Sequence, residues 1–185
     1  MLVGTKFLNF FLMQSIIRRA TIQDAELLSA LGRQTFYDTF SGTCTDQDMQ
    51  QFLQEYFNLD QVKMELANEK DYYFFSETNG VATGYVRMME DYSHFELMKK
   101  WKALELKRIY VDKNFHGKGT AQQLINFAED FARQNKYEVL WLGVWEHNLR
   151  AKRFYEKCGF KDSGHTHYFP IGDTPQTDNW LWKFL

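Results

Sequence analysis

The chain has 185 residues, of which 44% are hydrophobic and 17% aromatic, so its composition indicates one globular domain and excludes a disordered protein. Its formal net charge of −2 lacks the basic excess that nucleic-acid-binding proteins usually carry. The two cysteines, Cys44 and Cys158, are too few for a disulfide framework or a zinc knuckle, which favours a reduced, cytoplasmic setting.

The first residues read MLVGTKFLNFFLM. One lysine before a short apolar run is weakly similar to a signal peptide, but no small-residue cleavage site follows it. The run is too short to span a bilayer, so we expect no membrane association. We predict an N-terminal extension over residues 1–14, with Met13 as the usual start, and a single domain over residues 15–185.

The first half of this domain is predicted to contain one strand followed by three helices. Thr21 with Asp24, and Thr45 with Asp48, have the three-residue spacing that is typical of a helix start. Ser41-Gly42 separates the first helix from the second. The predicted elements are a strand over residues 15–20 and helices over about 21–40, 45–56 and 59–68.

The hydrophobic period then changes from helical to alternating. Asn79-Gly80 is typical of a two-residue hairpin turn, so we predict strands over residues 72–78 and 81–90. A polar and partly helical connection over residues 91–102 follows the second strand.

The stretch LELKRIYVDKNFHGKGTAQQLINFAED, residues 104–130, predicts a strand, a glycine turn and an amphipathic helix. The glycines, Gly117 and Gly119, let a ligand approach the backbone, and the free amides at a helix start favour an anion. A tight turn without a ligand is the alternative. Asp112 and Gln122 stand where a P-loop and a dinucleotide fingerprint need glycine, which excludes both motifs.

The next segment is a nearly continuous apolar run, VLWLGV at residues 139–144, which is typical of a buried strand. Asn148 is placed to begin the following helix and Gly159 to end it. Two last strands are predicted near residues 160–169 and 179–184. These elements indicate an α+β fold class built around a mixed sheet.

Together, these two segments resemble the GNAT superfamily of acyl-CoA-dependent N-acetyltransferases. HGKGTA at residues 116–121 is similar to motif A, except that His116 stands where Gln or Arg is usual. Residues 141–160 are similar to motif B, in which an Asn caps a helix that carries a Tyr. The resemblance covers residues 15–185 and implies a mostly antiparallel sheet flanked by helices, with strands 4 and 5 splayed around the acyl-CoA site.

The resemblance also implies roles for individual residues. Acetyl-CoA is the implied cosubstrate, and the reaction needs no metal. Tyr155 is the implied acid for the departing thiolate, with a tyrosine of the core as the alternative. The coenzyme-binding residues that the resemblance implies are Ile109, Tyr110, Val111, His116, Gly117, Lys118, Gly119, Thr120, Ala121, Asn148, Ala151 and Lys157.

An amine acceptor with a pKa of about 10.4 is an ammonium at neutral pH and must lose a proton before it attacks. Glu105, at the head of the central strand, and Glu146, just after the next strand, are the candidate bases. Each has an exposed, non-catalytic charge as its alternative. His165 and His167 alternate on a predicted strand, where packing or substrate contact suits them as well as ligation.

Several phrases, among them ELKRIYV and WLGVWEHN, are similar to the PaiA-type branch, which acetylates spermidine and spermine. The implied partner is therefore a small amine, with a protein or peptide amine as an alternative acceptor. A non-catalytic acyl-CoA-binding regulatory module is the other alternative, and a homodimer stays open. Eight acidic residues could attract a polycation or form a solvated face: Asp38, Asp46, Asp48, Glu55, Asp60, Glu65, Glu69 and Asp71.

Overall fold

The computed structural model describes residues 15–185, so the predicted extension over residues 1–14 lies outside the described residues. Seven strands form one sheet in the order β1-β2-β3-β4-β5-β7-β6. They are β1 (Ser15–Arg19), β2 (Asp71–Thr78), β3 (Val81–Met89), β4 (Ala103–Val111), β5 (Val139–Trp145), β6 (Lys161–Tyr168) and β7 (Thr177–Phe184). The α-helices within residues 15–185 are α1 (Ala25–Phe40), α2 (Asp46–Tyr56), α3 (Leu59–Ala67), α4 (Thr120–Gln134) and α5 (Leu149–Lys157).

The predicted elements are all present, with small shifts at their ends. The turn at Thr21 first forms a short 3-10 helix, Ile22–Asp24, and α1 continues from it. The last strand begins at Thr177 rather than 179 because its first residues pair with both β5 and β6. Within residues 15–185, no helix is both long and apolar enough to cross a membrane.

Neighbouring strands are antiparallel except β4 and β5, which are parallel. These two strands pair only at Ala103–Val139, Leu104–Leu140 and Glu105–Trp141. Beyond Glu105 they diverge and leave a gap in the sheet. The predicted mixed, mostly antiparallel sheet with splayed strands 4 and 5 is therefore confirmed.

Helices cover both faces of the sheet, which confirms the α+β layering. On one face, here called the α4 face, Leu124, Ile125 and Ala128 of α4 pack against Leu106 and Leu142. The apolar residues of α4 recur at helical spacing, and this turns one stripe toward the sheet. On the other face, here called the α1 face, residues of α1 and α3 pack against β2 and β3.

The connection between β6 and β7 is fixed to the start of α2. The Asp48 carboxylate accepts hydrogen bonds from the Asp173 amide at 3.0 Å and from the Thr174 hydroxyl at 2.7 Å. Ile171 is fully buried in the aromatic cluster beneath this connection. One wall of the α1 face is therefore built from segments that are distant in sequence.

A buried charge network joins α3 to the centre of the sheet. Arg87 binds Asp71 through Nε at 2.9 Å and Nη2 at 2.6 Å, and it binds Glu65 through Nη1 at 2.8 Å. Arg108 lies 3.5 Å from Glu65 and 3.1 Å from the Tyr73 hydroxyl. Burial opposes ionisation of Glu65, but the two guanidiniums outweigh it and lower the pKa of that carboxyl.

Candidate active site

The gap between β4 and β5 exposes backbone amides of β4. The Asp112 amide donates to the Thr83 carbonyl of β3 at 2.9 Å, and backbone groups alternate in direction along a strand. The amides of Ile109 and Val111 therefore face the gap, whereas the amide of Tyr110 faces β3. The Tyr110 ring packs on the α1 face, 5.8 Å from the Tyr85 ring.

The glycine turn follows the open end of this gap. Gly117 has φ +76° and Gly119 has φ +86°, a region that glycine enters at little cost. A Cβ built on either residue would meet nothing within 4 Å, so both backbones are open to solvent. α4 begins at Thr120 with no side-chain cap on its first amides, and these free donors with the open cradle fit a phosphate group.

The open cleft at this turn brings together half of the predicted coenzyme-binding residues. Its walls are formed by Val111, Phe115, His116, Gly117, Gly119, Thr120, Ala121 and Gln122, with Arg150 and Phe154 from α5. Lys118 is exposed, and its ammonium lies 4.9 Å from the centre of the Phe115 ring. Lys157 is exposed at the end of α5, two turns beyond Arg150.

His116 connects β4 to α5. Its Nε2 lies 2.9 Å from the Val111 carbonyl oxygen, and its Nδ1 lies 3.2 Å from Nη1 of Arg150. A guanidinium only donates hydrogen bonds, so Nδ1 accepts from Arg150 and Nε2 carries the ring proton. With these hydrogen-bond roles, the His116 ring holds Arg150 beside the glycine turn.

Arg150 is a site residue that the sequence analysis missed. The available signal was its position two residues after Asn148, one helical turn before Phe154, on the side of α5 that faces the glycine turn. Asn148 itself begins α5 as predicted, because its side-chain oxygen accepts from the Ala151 amide at 3.0 Å. Ala151 is half-buried and packs against the core of the α4 face.

Tyr155 reaches the α4 face of the sheet from the middle of α5. It is only 6% exposed and packs against the rings of Phe154 and Phe160. Burial raises the pKa of its phenol. A buried phenol with a raised pKa keeps its proton at neutral pH, so it is available as a hydrogen-bond and proton donor to a leaving group that becomes negatively charged beside it.

The two carboxylates predicted as bases lie in different environments. Glu105 is 4% exposed at the last position of β4 that pairs with β5, and Nζ of Lys107 lies 3.3 Å from its Oε2. Burial raises the pKa of Glu105 to about 7, although Lys107 opposes this. Glu146 is exposed, and its carboxylate lies 3.8 Å from Nε2 of His147.

A third carboxylate, Asp178, was not predicted as a site residue. It lies opposite Trp145 in the β5–β7 pairing, and its Oδ2 is 3.0 Å from the position that a Cβ of Gly143 would take. Burial, followed by the charge of Glu146, raises the pKa of Asp178 to about 7. The sequence signal was a glycine inside an otherwise apolar strand, which leaves room for a neighbouring side chain.

The histidines of β6 form part of an aromatic wall on the α1 face. The His167 ring stacks on Trp180 at 5.0 Å, and the His165 ring lies 5.3 Å from Phe95. Burial lowers the pKa of His167, and the charges of His94 and Lys107 add to this. Among residues 15–185, no group of three or more His, Cys, Asp or Glu side chains could hold a metal ion.

The family model described as the acetyltransferase (GNAT) family matches residues 33–160. A relative from Lactobacillus delbrueckii subsp. lactis, described as an uncharacterized N-acetyltransferase in the pepI 3′ region, is 38% identical over 156 residues. The match spans 84% of this chain and 89% of that relative.

Solved structures of the same fold include the Thermoplasma acidophilum PaiA N-acetyltransferase in complex with coenzyme A. Its TM-score is 0.77 at 19% identity, and the match covers 94% of this chain and 100% of that chain. The Vibrio cholerae spermidine/spermine N-acetyltransferase SpeG has a TM-score of 0.66 at 22% identity, covering 92% of this chain and 95% of that chain. The Escherichia coli ribosomal-protein-S18-alanine N-acetyltransferase has a TM-score of 0.65 at 16% identity, covering 91% of this chain and 92% of that chain.

The family match covers more than half of the chain, and it includes both the gap between β4 and β5 and the glycine turn. Strands β1, β6 and β7 lie outside the matched residues but complete the same sheet. The chain belongs to the acetyltransferase (GNAT) family and is an acetyl-CoA-dependent N-acetyltransferase.

Proposed function

We propose that this enzyme transfers the acetyl group of acetyl-CoA to a primary amine of a polyamine such as spermidine or spermine, by direct attack in a ternary complex. The observation that carries the proposal is the gap between β4 and β5, which ends at the open glycine turn. A thioester ligand can lie in this gap with its phosphates at the turn. An acceptor then approaches from the α1 face.

The glycine turn and the start of α4 would bind the pyrophosphate of coenzyme A. The free amides at Gly119 and Thr120 supply donors, and the helix dipole adds partial positive charge. Arg150 adds a guanidinium, which matches phosphate geometry better than a lysine does. The amides of Ile109 and Val111 would hold the pantetheine and acetyl groups along the gap.

Tyr155 would protonate the departing thiolate. Its α5 position puts it on the α4 face, opposite the side from which an acceptor approaches. The raised pKa keeps the phenol protonated until a thiolate forms beside it. Three carboxylates near the gap, Glu105, Glu146 and Asp178, are the candidates for the base that receives the ammonium proton.

The acidic residues support a polyamine less strongly than their number suggests. Glu65 and Asp71 are buried partners of Arg87, and Asp48 holds the β6–β7 connection. Asp38 pairs with Lys113 at 3.1 Å. The acidic residues that stay exposed are Asp46, Glu55, Asp60 and Glu69.

The sequence segments that are similar to the PaiA-type branch are the main support for a polyamine acceptor, and PaiA is also a structural neighbour. Other structural neighbours include both acceptor types: SpeG is described as a spermidine/spermine enzyme, and the S18-alanine enzyme as one that acts on a ribosomal protein. A flexible cation gains from several carboxylates, although each exposed pair contributes only about 0–1 kcal/mol. The specificity constant should therefore rise with the number of amines and fall with salt. Salt screens exposed charges over about 8–10 Å near physiological ionic strength.

A coupled thiol-release assay tests the proposal with spermine, spermidine, putrescine and a lysine peptide at two salt concentrations. We expect spermine and spermidine to give the largest kcat/KM and the steepest decline with salt. A larger kcat/KM for the peptide would reject the polyamine and keep the acetyl transfer. Coenzyme A binding without thiol release for any amine would indicate a non-catalytic module.

A further inference from the structure

We propose that Asp178, rather than Glu105 or Glu146, is the catalytic base that receives the proton of the acceptor ammonium. This inference depends on the proposed amine acetyl transfer and names the residue that contacts the amine. Four observations support it: the level of Asp178 along the sheet, the direction of its carboxylate, the lack of a side-chain partner among residues 15–185, and its burial.

The sheet register places Asp178 level with the amides that face the gap. Glu105 pairs with Trp141 at the closed end of the gap, and Trp145 is four residues further along β5. β4 has one extra residue at Lys107, because Leu106 and Arg108 pair with the consecutive β3 residues Met88 and Arg87, so Tyr110 is four sheet positions beyond Glu105. Asp178 of β7 pairs with Trp145 of β5, and it therefore lies level with Tyr110, between the gap-facing amides of Ile109 and Val111.

The direction of the carboxylate follows from the glycine beside it. In-register partners on antiparallel strands share a face, so Asp178 lies on the α1 face with Gly143 and Trp145. Gly143 has no side chain, and Oδ2 of Asp178 lies 3.0 Å from the place where its Cβ would be. The carboxylate therefore leans over β5 toward the gap. Tyr110 borders the gap on the other side. Burial raises the pKa of its phenol, and the charges of Tyr85, Tyr155 and, least of the three, Asp178 add to this.

Asp178 is free to accept a proton from a ligand. Within residues 15–185, its carboxylate makes no hydrogen bond or ion pair with another side chain, yet it is half-buried. The titratable groups that face it are Glu146 after β5, Tyr110 on β4 and His167, its cross-strand neighbour on β6. None of them is a cation that the carboxylate must keep as a partner.

The two other carboxylates fit the role less well. Glu105 lies three sheet positions before Ile109, because Lys107 is an extra residue on β4, which is about 10 Å at roughly 3.3 Å per position. Lys107 already pairs with Glu105 at 3.3 Å. Glu146 is exposed beyond the end of β5. An exposed carboxylate is surrounded by water and holds an ammonium in one geometry less well than a half-buried carboxylate does.

Asp178 takes one proton from the acceptor ammonium, which leaves a neutral amine. The amine nitrogen forms a bond to the acetyl carbon, and the bond from that carbon to sulfur breaks. Tyr155 gives its proton to the sulfur, and the surplus proton of the new amide nitrogen returns to the Tyr155 phenolate through water. Asp178 later releases its proton to solvent, which gives the single proton that the net reaction produces.

The test compares Asp178→Asn with Asp173→Asn, which makes the same change at an exposed position of the same chain segment. The wild-type kcat/KM should rise with pH through about 7, because Asp178 is protonated below that pH and cannot accept a proton. Asp178→Asn should lose the rise of kcat/KM near pH 7, and its kcat/KM should fall about 10²–10⁴-fold. Asp173→Asn should keep the wild-type kcat/KM and its pH dependence.

Stability separates a catalytic role from a structural one. Removing an unpaired, half-buried charge should leave the melting temperature at pH 8 unchanged or higher, with coenzyme A affinity retained by calorimetry. Asp178→Ser serves the same purpose if the Asn variant does not fold. A kcat/KM of Asp178→Asn within threefold of wild type would overturn the proposal. The proposal would also fail if Glu105→Gln, and not Asp178→Asn, lost the rise of kcat/KM near pH 7.

The binding of spermine to the coenzyme A complex gives a readout that needs no turnover. Calorimetry should show weaker binding to Asp178→Asn than to Asp173→Asn. If wild type acetylates no amine, the proposed function fails, and the binding comparison still decides whether Asp178 contacts an ammonium. Equal spermine affinity in the two variants would reject Asp178 as that contact.

Discussion

Gly119→Asp is the sharpest perturbation of the proposed coenzyme site. Gly119 has φ +86° and immediately precedes α4. No atom lies within 4 Å of the position of a new Cβ, so the substitution causes no clash. Its effects are a strained backbone and a negative charge at the phosphate cradle. Gly119→Asn is the matched control, because it has the same shape and backbone strain without the charge.

The cost of the backbone strain is modest and common to both variants. A residue with a Cβ in the left-handed region loses about 1–2 kcal/mol, and Asp and Asn lie at the low end. The added carboxylate interacts favourably with the start of α4, by roughly 0.3–1 kcal/mol. Without ligand, Gly119→Asp should therefore be at least as stable as Gly119→Asn.

The charge effect on coenzyme binding is larger. At about 5 Å, two unit charges repel by roughly 0.8 kcal/mol in water and 3.3 kcal/mol at an effective dielectric constant of 20. An intermediate value near 1.7 kcal/mol, applied to the two charges of a pyrophosphate, gives about 3 kcal/mol, or roughly 100-fold in Kd. Gly119→Asp should thus bind coenzyme A about 100-fold more weakly than Gly119→Asn.

Isothermal titration calorimetry with coenzyme A at low salt measures this difference directly, and thermal melting confirms that both variants fold. The ratio of the Kd values of the two variants should decrease with added salt, because the site is open to solvent and its charges are screened. Equal coenzyme A affinity for folded Gly119→Asp and Gly119→Asn would refute the assignment of the pyrophosphate to this turn.

Three further changes test other parts of the structure. Tyr155→Phe should lower kcat about 10²–10⁴-fold when chemistry limits turnover, with the Kd for coenzyme A unchanged; an unaltered rate would assign Tyr155 to the core. Arg150→Ala should raise the Kd for coenzyme A and for dephospho-coenzyme A alike, by roughly 5–30-fold or about 1–2 kcal/mol. Arg153→Ala serves as the control, and a loss of affinity restricted to coenzyme A would assign the contact to the 3′-phosphate. Asp71→Asn should lower the free energy of unfolding by about 3 kcal/mol in urea titrations, because it leaves a buried guanidinium underpaired; a loss below about 1 kcal/mol would contradict the buried network.

The sequence alone determined the features that depend on nearby residues. The strand, glycine turn and helix at residues 104–130 follow from hydrophobic period and from two glycines that both adopt positive φ. The cap at Asn148 acts over three residues, and the structure has the expected bond to the Ala151 amide. Such signals are readable in one dimension because the groups that interact are a few positions apart.

The tertiary structure alone decided which charged groups are buried and what they contact. Glu65 and Asp71 read as part of an acidic surface, but strand pairing brings them against Arg87, 22 and 16 residues away. His116 meets Arg150 across 34 residues, and Asp178 lies beside Gly143 only because β7 pairs with β5 in one register. The sequence gives the residue type of an acid or an arginine but does not show whether its side chain is solvated or buried. Its chemistry depends on desolvation and partners, and these are set by long-range sheet pairing.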